Sequence, residues 1–169
     1  EKVNIKCEVP VSEQLLFQLR NYYIPVISKH MPNLSYVEIN SQSVSVPDTV
    51  GNAVATGNSG GVDSFYTIIK HLNEKGSFKL THLLFNNIST EDDDSKRIRK
   101  WFDKEKKEKE QIAKEFGLKA ISMYSNLYSF YESHYIYNYY YAAQYVSAPY
   151  VLAGLIGKYY YSSSYSFSD

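Results

Sequence analysis

Cysteine is almost missing from this sequence: Cys7 stands alone. Without a second thiol there is no intramolecular disulfide and no zinc site of paired cysteines, and the expected compartment is the cytoplasm. Charge of one sign is missing too. The 18 Lys and Arg balance the 18 Asp and Glu, which removes the global electrostatic case for nucleic acid or an acidic membrane as partner. No apolar run approaches the roughly 18 residues of a membrane span. The opening Glu1 to Lys6 is not a secretory signal. Neither GxxxxGK[ST] nor GxGxxG, the common phosphate-binding loops, occurs anywhere. What remains is a chain of 169 residues, 44% apolar and 21% charged, enough for one core-forming domain with a small appendage.

The pattern of apolar residues suggests how that core is built. Val3, Ile5, Cys7 and Val9 alternate with polar residues and predict a strand. Ser12 opens a helix carrying Leu15, Leu16 and Leu19, which Pro25 should kink or end. Val37 and Ile39 predict a second strand, and Val44 and Val46 resume with opposite parity across a turn or bulge. Pro47-Asp48 marks a boundary, giving an N-terminal strand-helix-strand element at 1–47 and a larger domain at 48–169. In the larger domain Ala53 to Thr56 is a buried strand. Phe65, Ile68, Ile69 and Leu72 form one helical face ended near Gly76, and Leu80 to Phe85 is a second strand. Residues 91–116 form a charged helix anchored by Ile98, Trp101, Ile112 and Phe116. Leu118 to Tyr124 is a third strand, 135–157 reads as two buried helices divided at Pro149, and Tyr159 to Ser163 is a fourth strand. Alternating strands and helices imply right-handed crossovers and a parallel α/β sheet.

One stretch between a strand and a helix carries chemistry: Ser59-Gly60-Gly61-Val62-Asp63-Ser64. Gly60 and Gly61 have no side chains, so their N–H groups can approach an anion and the backbone can turn to positive φ. The helix that follows adds its positive dipole end and unpaired donors, and Ser59 and Ser64 add hydroxyls. Asp63 fits beside polyphosphate once Mg²⁺ lies between them. Five fixed residues at average usage recur by chance in roughly a few chains per ten thousand of this length, which makes a plain glycine turn capped by Ser64 the weaker account.

SGGVDS resembles the SGGxDS signature of the PP-loop ATP pyrophosphatases, the superfamily of GMP synthetase, NAD synthetase, asparagine synthetase and 7-cyano-7-deazaguanine synthase. The resemblance extends over about residues 50–165. It is greatest to uncharacterised bacterial PP-loop proteins, through Asn58 to Phe65, Asn126-Leu127 and the serine cluster after the fourth strand. Asn58 departs from the phenylalanine usual there. The resemblance implies a Rossmann-like parallel sheet with flanking helices, of the adenine nucleotide alpha hydrolase type. It also implies a ligase-type reaction, in which ATP is split between its α- and β-phosphates and a small-molecule or macromolecular acceptor is adenylated with release of pyrophosphate. Ser59, Gly60, Gly61, Asp63 and Ser64 would grip the pyrophosphate end, with Asp63 on Mg²⁺. The backbone at Ala55, Thr56 and Gly57, with Phe85 and Asn86 after the second strand, would frame adenine and ribose. Ser162, Ser163, Ser164 and Asn126 are the candidates for substrate contact. No nucleophile or general base is assignable, and with no cysteine after Cys7 neither persulfide chemistry nor adenylyl sulfate reduction is supported. The alternative is a nucleotide-binding sensor or scaffold without turnover.

Other features have simpler readings. His82, inside an apolar strand, is a core histidine with a hydrogen-bond partner, and His30, His71 and His134 lack metal-ligand spacing. The 18 tyrosines are packing residues, or in part an aromatic wall against a planar substrate or a second subunit. The sequence starts without Met and stops inside the loop after the fourth strand. The expectation is therefore an incomplete unit whose bare edge strand favours a homodimer or cover by Val3 to Val9.

Overall fold

The computed structural model describes residues 3–31, 35–45, 51–88, 95–127 and 137–162. The expected boundary at Pro47-Asp48, the acidic helix start at Glu91 to Asp94, His134, Ser163 and Ser164 lie outside them. The chain divides into two compact units, Glu1–Thr49 and Val50–Asp169.

In the first unit a helical segment connects two short parallel ladders. Strand β1 (Val3–Lys6) pairs with β3 (Val37–Asn40), and β2 (Val11–Ser12) pairs with β4 (Ser43–Val44). The first strand therefore ends at Lys6, short of Val9. Ser12 caps α1 (Glu13–Gln18), accepting from the Leu15 N–H at 3.3 Å. The helical path does not end at Pro25. The chain passes through one π-helical turn, Leu19–Tyr23, directly before α2 (Ile24–His30), whose second residue is Pro25. Leu16 and Met31 are buried in this unit.

The second unit is mixed α/β: a four-stranded parallel sheet with flanking helices. Its elements are β5 (Ala53–Gly57), α3 (Val62–Leu72), β6 (His82–Asn86), α4 (Ser95–Glu115), β7 (Lys119–Met123), α5 (Tyr137–Val151) and β8 (Ile156–Tyr160). The strand order is β7-β6-β5-β8. The chain steps outward from β5 to β7, then returns across the sheet through α5 to put β8 on the other side of β5. On one face Ala53, Ala55 and Leu84 pack with Ala148 of α5 and with Ile156; on the other, Leu83 packs with Ile68 of α3 and Ala113 of α4. The alternation of neighbouring residues between faces is the period of a strand buried on both sides.

Several elements differ from the expected ones. The described part of the 135–157 region holds one helix, α5, rather than two, because Pro149 lies in its last turn and removes one hydrogen-bond donor near its end. A tight turn at Leu152 to Leu155, closed by the Ile156 N–H on the Leu152 carbonyl at 2.8 Å, starts the fourth strand at Ile156 rather than Tyr159. Helix α3 stops at Leu72, and Gly76, at φ +58, opens a separate 3₁₀ turn, Gly76–Phe78. Ile69, expected on the buried face, is 60% exposed, while Ile68 is fully buried and Thr67 and Ser64 are nearly so. Trp101 is 39% exposed, its ring tilted against that of Phe85, and Phe102 takes the buried place on α4, stacked on Phe85 with ring centroids 5.1 Å apart. Ile68→Ala is expected to cost about 2–5 kcal/mol by chemical denaturation, while Ile69→Ala should stay within about 0.5 kcal/mol; equal losses would contradict this face assignment.

Candidate functional site

Strand β5 is buried from Ala53 through Thr56 and meets the surface at Gly57. The sheet ladder runs one residue further, the Asn58 N–H donating to the Leu84 carbonyl at 2.9 Å. The chain then turns through Ser59, Gly60 and Gly61 into α3. Gly60 sits at φ +84, a conformation L side chains rarely adopt. Gly61 does not share it. At φ −85 and ψ 168 it is extended, and an added Cβ would make only ordinary contact with the Ser59 hydroxyl at 3.5 Å. The expectation of positive φ thus holds for Gly60 alone.

The two serines close a small ring. The Ser59 hydroxyl donates to the Ser64 hydroxyl at 3.2 Å, Ser64 donates to the Gly61 carbonyl at 2.8 Å, and the Gly61 N–H donates back to Ser59 at 3.2 Å. These groups are satisfied within the loop and would be re-aimed by an incoming anion. The N–H groups of Val62, Asp63 and Ser64 belong to the first turn of α3, where no intrahelical acceptor exists, and no side chain caps them. They are the standing donors of the site. Asp63 is exposed in that turn.

Sequence reasoning missed what lies over the loop. Lys109 of α4 is only 8% exposed. Its Nζ is 2.8 Å from where a Cβ on Gly60 would be, and 3.4 Å from Oε2 of Glu105, one turn back along the helix. The Lys109 carbonyl accepts from Asn58 Nδ2 at 3.4 Å. That bond fixes the Asn58 amide orientation, leaving its Oδ1 buried without a hydrogen-bond partner. The signal was present in the spacing: Ile98, Phe102, Glu105, Lys109 and Ala113 fall on one face of a helix, where Ile98, Phe102 and Ala113 are apolar and buried and Glu105 is half-buried.

The remaining candidates divide. Thr56 is fully buried, its hydroxyl donating to the Tyr160 carbonyl at 2.8 Å, so its side chain ties β5 to β8. Phe85 has its ring committed to α4, and Asn86 Oδ1 accepts from the Ile88 N–H at 3.2 Å. Both lie at the end of β6, beside β5. Ser162 is brought to α3, its hydroxyl donating to that of Thr67 at 3.0 Å, which in turn donates to the Asp63 carbonyl at 2.9 Å. Asn126 is exposed beyond β7, which the sheet order separates from β5 by β6. An unforeseen brace lies between those strand ends: Asn87, 1% exposed, donates to the Ser125 carbonyl at 2.7 Å and accepts from its N–H at 2.6 Å. His82 is half-buried with the Thr81 hydroxyl 2.8 Å from Nδ1, and burial first, then Lys119, lowers its pKa. Tyr159, on the α5 face, presents its hydroxyl to Gly57, and burial, with Tyr145 second, pushes its pKa up to about 12.

An open groove of about 650 Å³, lined by Lys96, Arg99, Lys100, Asp103 and Tyr124, lies near the start of α4. Arg99 is some ten residues, or ~15 Å of helix, from Lys109. Among the described residues no cluster of three or more His, Cys, Asp or Glu could hold a metal by itself, and no helix is long and apolar enough to cross a membrane. The chain matches no protein-family model, no curated protein and no solved structure.

Gly60 and Gly76 separate two effects. Both have positive φ, but an added Cβ at Gly76 meets nothing within 4 Å, whereas at Gly60 it meets the Lys109 ammonium. Gly76→Ala is expected to cost about 1–2 kcal/mol from backbone strain alone. Gly60→Ala carries the same strain, and because the Lys109 ammonium it meets is the far end of a flexible side chain, the contact should add little; denaturation showing a loss well above that of Gly76→Ala would mean that the ammonium is held rigidly over the loop.

Proposed function

We propose that the second unit binds ATP through the loop at 57–64 and acts as an AMP-forming PP-loop enzyme on a Rossmann-like sheet. The observation that carries this is the unbroken Ser59-Gly60-Gly61-Val62-Asp63-Ser64 at the carboxyl end of β5, beside the point where strand order reverses between β5 and β8. In open parallel sheets such a reversal leaves a crevice where ligands bind. Support also comes from the positive φ of Gly60, the uncapped first turn of α3, and Ser162 arriving from β8.

In this reading the α3 N–H groups hold the β- and γ-phosphates. The acceptor attacks the α-phosphorus, a new bond forms there, and the bond to the bridging oxygen breaks with its electron pair leaving on pyrophosphate. Fixed donors at that end stabilise the departing charge. A magnesium ion fits the same place, because Mg²⁺ in phosphate sites uses one or two carboxylates and takes its remaining ligands from phosphate and water. Asp63, exposed in the first turn of α3, is the carboxylate that would hold it. Bound there, the metal neutralises phosphate charge. Thr56, Phe85 and Asn86 frame the nucleotide through backbone, since their side chains are otherwise engaged.

Calorimetry with ATP and Mg²⁺ tests the binding. Gly60→Val is expected to abolish it, and Asp63→Ala to weaken binding with Mg²⁺ far more than without. Unchanged affinity in Gly60→Val would reject the site. Chromatography of nucleotides after incubation with candidate acceptors should give AMP and pyrophosphate; ADP as main product would reject the reaction, and binding without product would favour a sensor module.

A further inference from the structure

The loop contains no lysine, yet the fold brings one to it. The Lys109 side chain is nine-tenths buried, with its ammonium against Gly60, the position where the backbone is barest. Among the described residues Glu105 is its one charged partner, at 3.4 Å, longer than the roughly 2.7–2.9 Å of a well-made charge-assisted hydrogen bond. An ammonium has three donors, so this pairing leaves capacity unused. Were the role only to fill space between α4 and the loop, an apolar side chain of similar length would serve without the cost of burying charge.

Resting on the ATP-binding reading above, we propose that Lys109 is the phosphate-binding cation of the site. It contacts the terminal phosphates of a bound polyphosphate, and Glu105 holds its ammonium over Gly60 until the anion arrives. Asn58 keeps the geometry by tying the Lys109 carbonyl to the end of β5. Negative charge arriving at Gly60 competes with Glu105 for the same ammonium. Removing the lysine must therefore weaken anion binding, and removing the carboxylate must strengthen it. A purely structural ion pair predicts no such opposition.

The test is calorimetric titration of the full chain with inorganic pyrophosphate, then with ATP and Mg²⁺, each variant's fold being checked by circular dichroism. Lys109→Met is expected to lose about tenfold to a hundredfold in pyrophosphate affinity, and Glu105→Gln to gain several-fold. If Lys109→Met does not fold, the gain in Glu105→Gln carries the test alone. Pyrophosphate and ATP binding that are unchanged in both variants overturn the role of Lys109 and leave the ATP-binding reading intact. Lys109-dependent pyrophosphate binding that gains nothing from the adenosine of ATP overturns the ATP reading and keeps this one. A wild-type chain that binds neither pyrophosphate nor ATP overturns both.

Discussion

The grip of α4 on the end of β5 is the constraint around which the second unit is arranged. A strand that leaves a sheet through glycine has little to fix its path, since each glycine loses more freedom on folding than any other residue. Here the path is fixed from outside. Asn58 bonds forward to the sheet through the Leu84 carbonyl and sideways to α4 through the Lys109 carbonyl. The Lys109 side chain then folds back over Gly60. The arrangement also has a cost. Asn58 Oδ1 stays buried without a donor, a loss of about 1–3 kcal/mol for a typical buried polar group. A phenylalanine at that position would avoid the loss but could not tether α4.

The sheet order gives that grip its place. Because α3 and α4 cover one face and α5 the other, the end of β5 has unlike surroundings on its two sides. Ala53 and Ala55 are small residues on the α5 face and let Ala148 approach closely. Beyond them Tyr159, held as the neutral phenol, stands against Gly57. The ammonium of Lys109 and the first-turn donors of α3 lie toward the other side. Thr56 and Tyr160 pin β5 to β8 through a buried hydrogen bond, and Tyr160 stacks on His71 of α3 at 3.7 Å, so the strand carrying Ser162 and the helix carrying Asp63 are braced together.

Where local chemistry decides conformation, the sequence was readable. Ser12 as helix cap, the break between the strands at Val37–Asn40 and Ser43–Val44, β5 ahead of its glycines, and the alternation of strands and helices in the second unit all follow from residues within a few positions of one another. The misread elements turn on tertiary context. Pro149 falls within the last turn of α5, and Pro25 sits just after a π-helical turn within a helical path that continues past it. Ile69 and Trp101 satisfy the apolar period of their helices, yet each stands next to the residue that packs, Ile68 or Phe102. An apolar face wider than the available contact leaves one flank in water, and the sequence does not say which flank. The candidate loop was legible as a unit because six adjacent residues carry it. Its internal hydrogen bonds were not, since the choice between Ser59 and Ser64 facing a ligand or each other depends on what else is bound.

Lys109 shows the same limit at longer range. Its neighbours Lys106, Lys107, Glu108 and Glu110 are half-buried or exposed, and the pairs Lys104–Glu108 and Lys106–Glu110 are of the solvent-screened kind that contributes little. Composition averages Lys109 into that run. Geometry does not: four residues from Glu105 and four from Ala113, it lies on the stripe facing the sheet. A charged residue on a buried stripe requires compensation, and here one carboxylate at 3.4 Å gives only part of it. A cation buried over a turn rich in N–H donors adds positive potential to a site that is already electropositive, which works against the fold while the site is empty. If Lys109 has the role proposed for it, negative charge at the loop would offset that cost, and the local stability of the loop and of α4 would then be coupled to an anion.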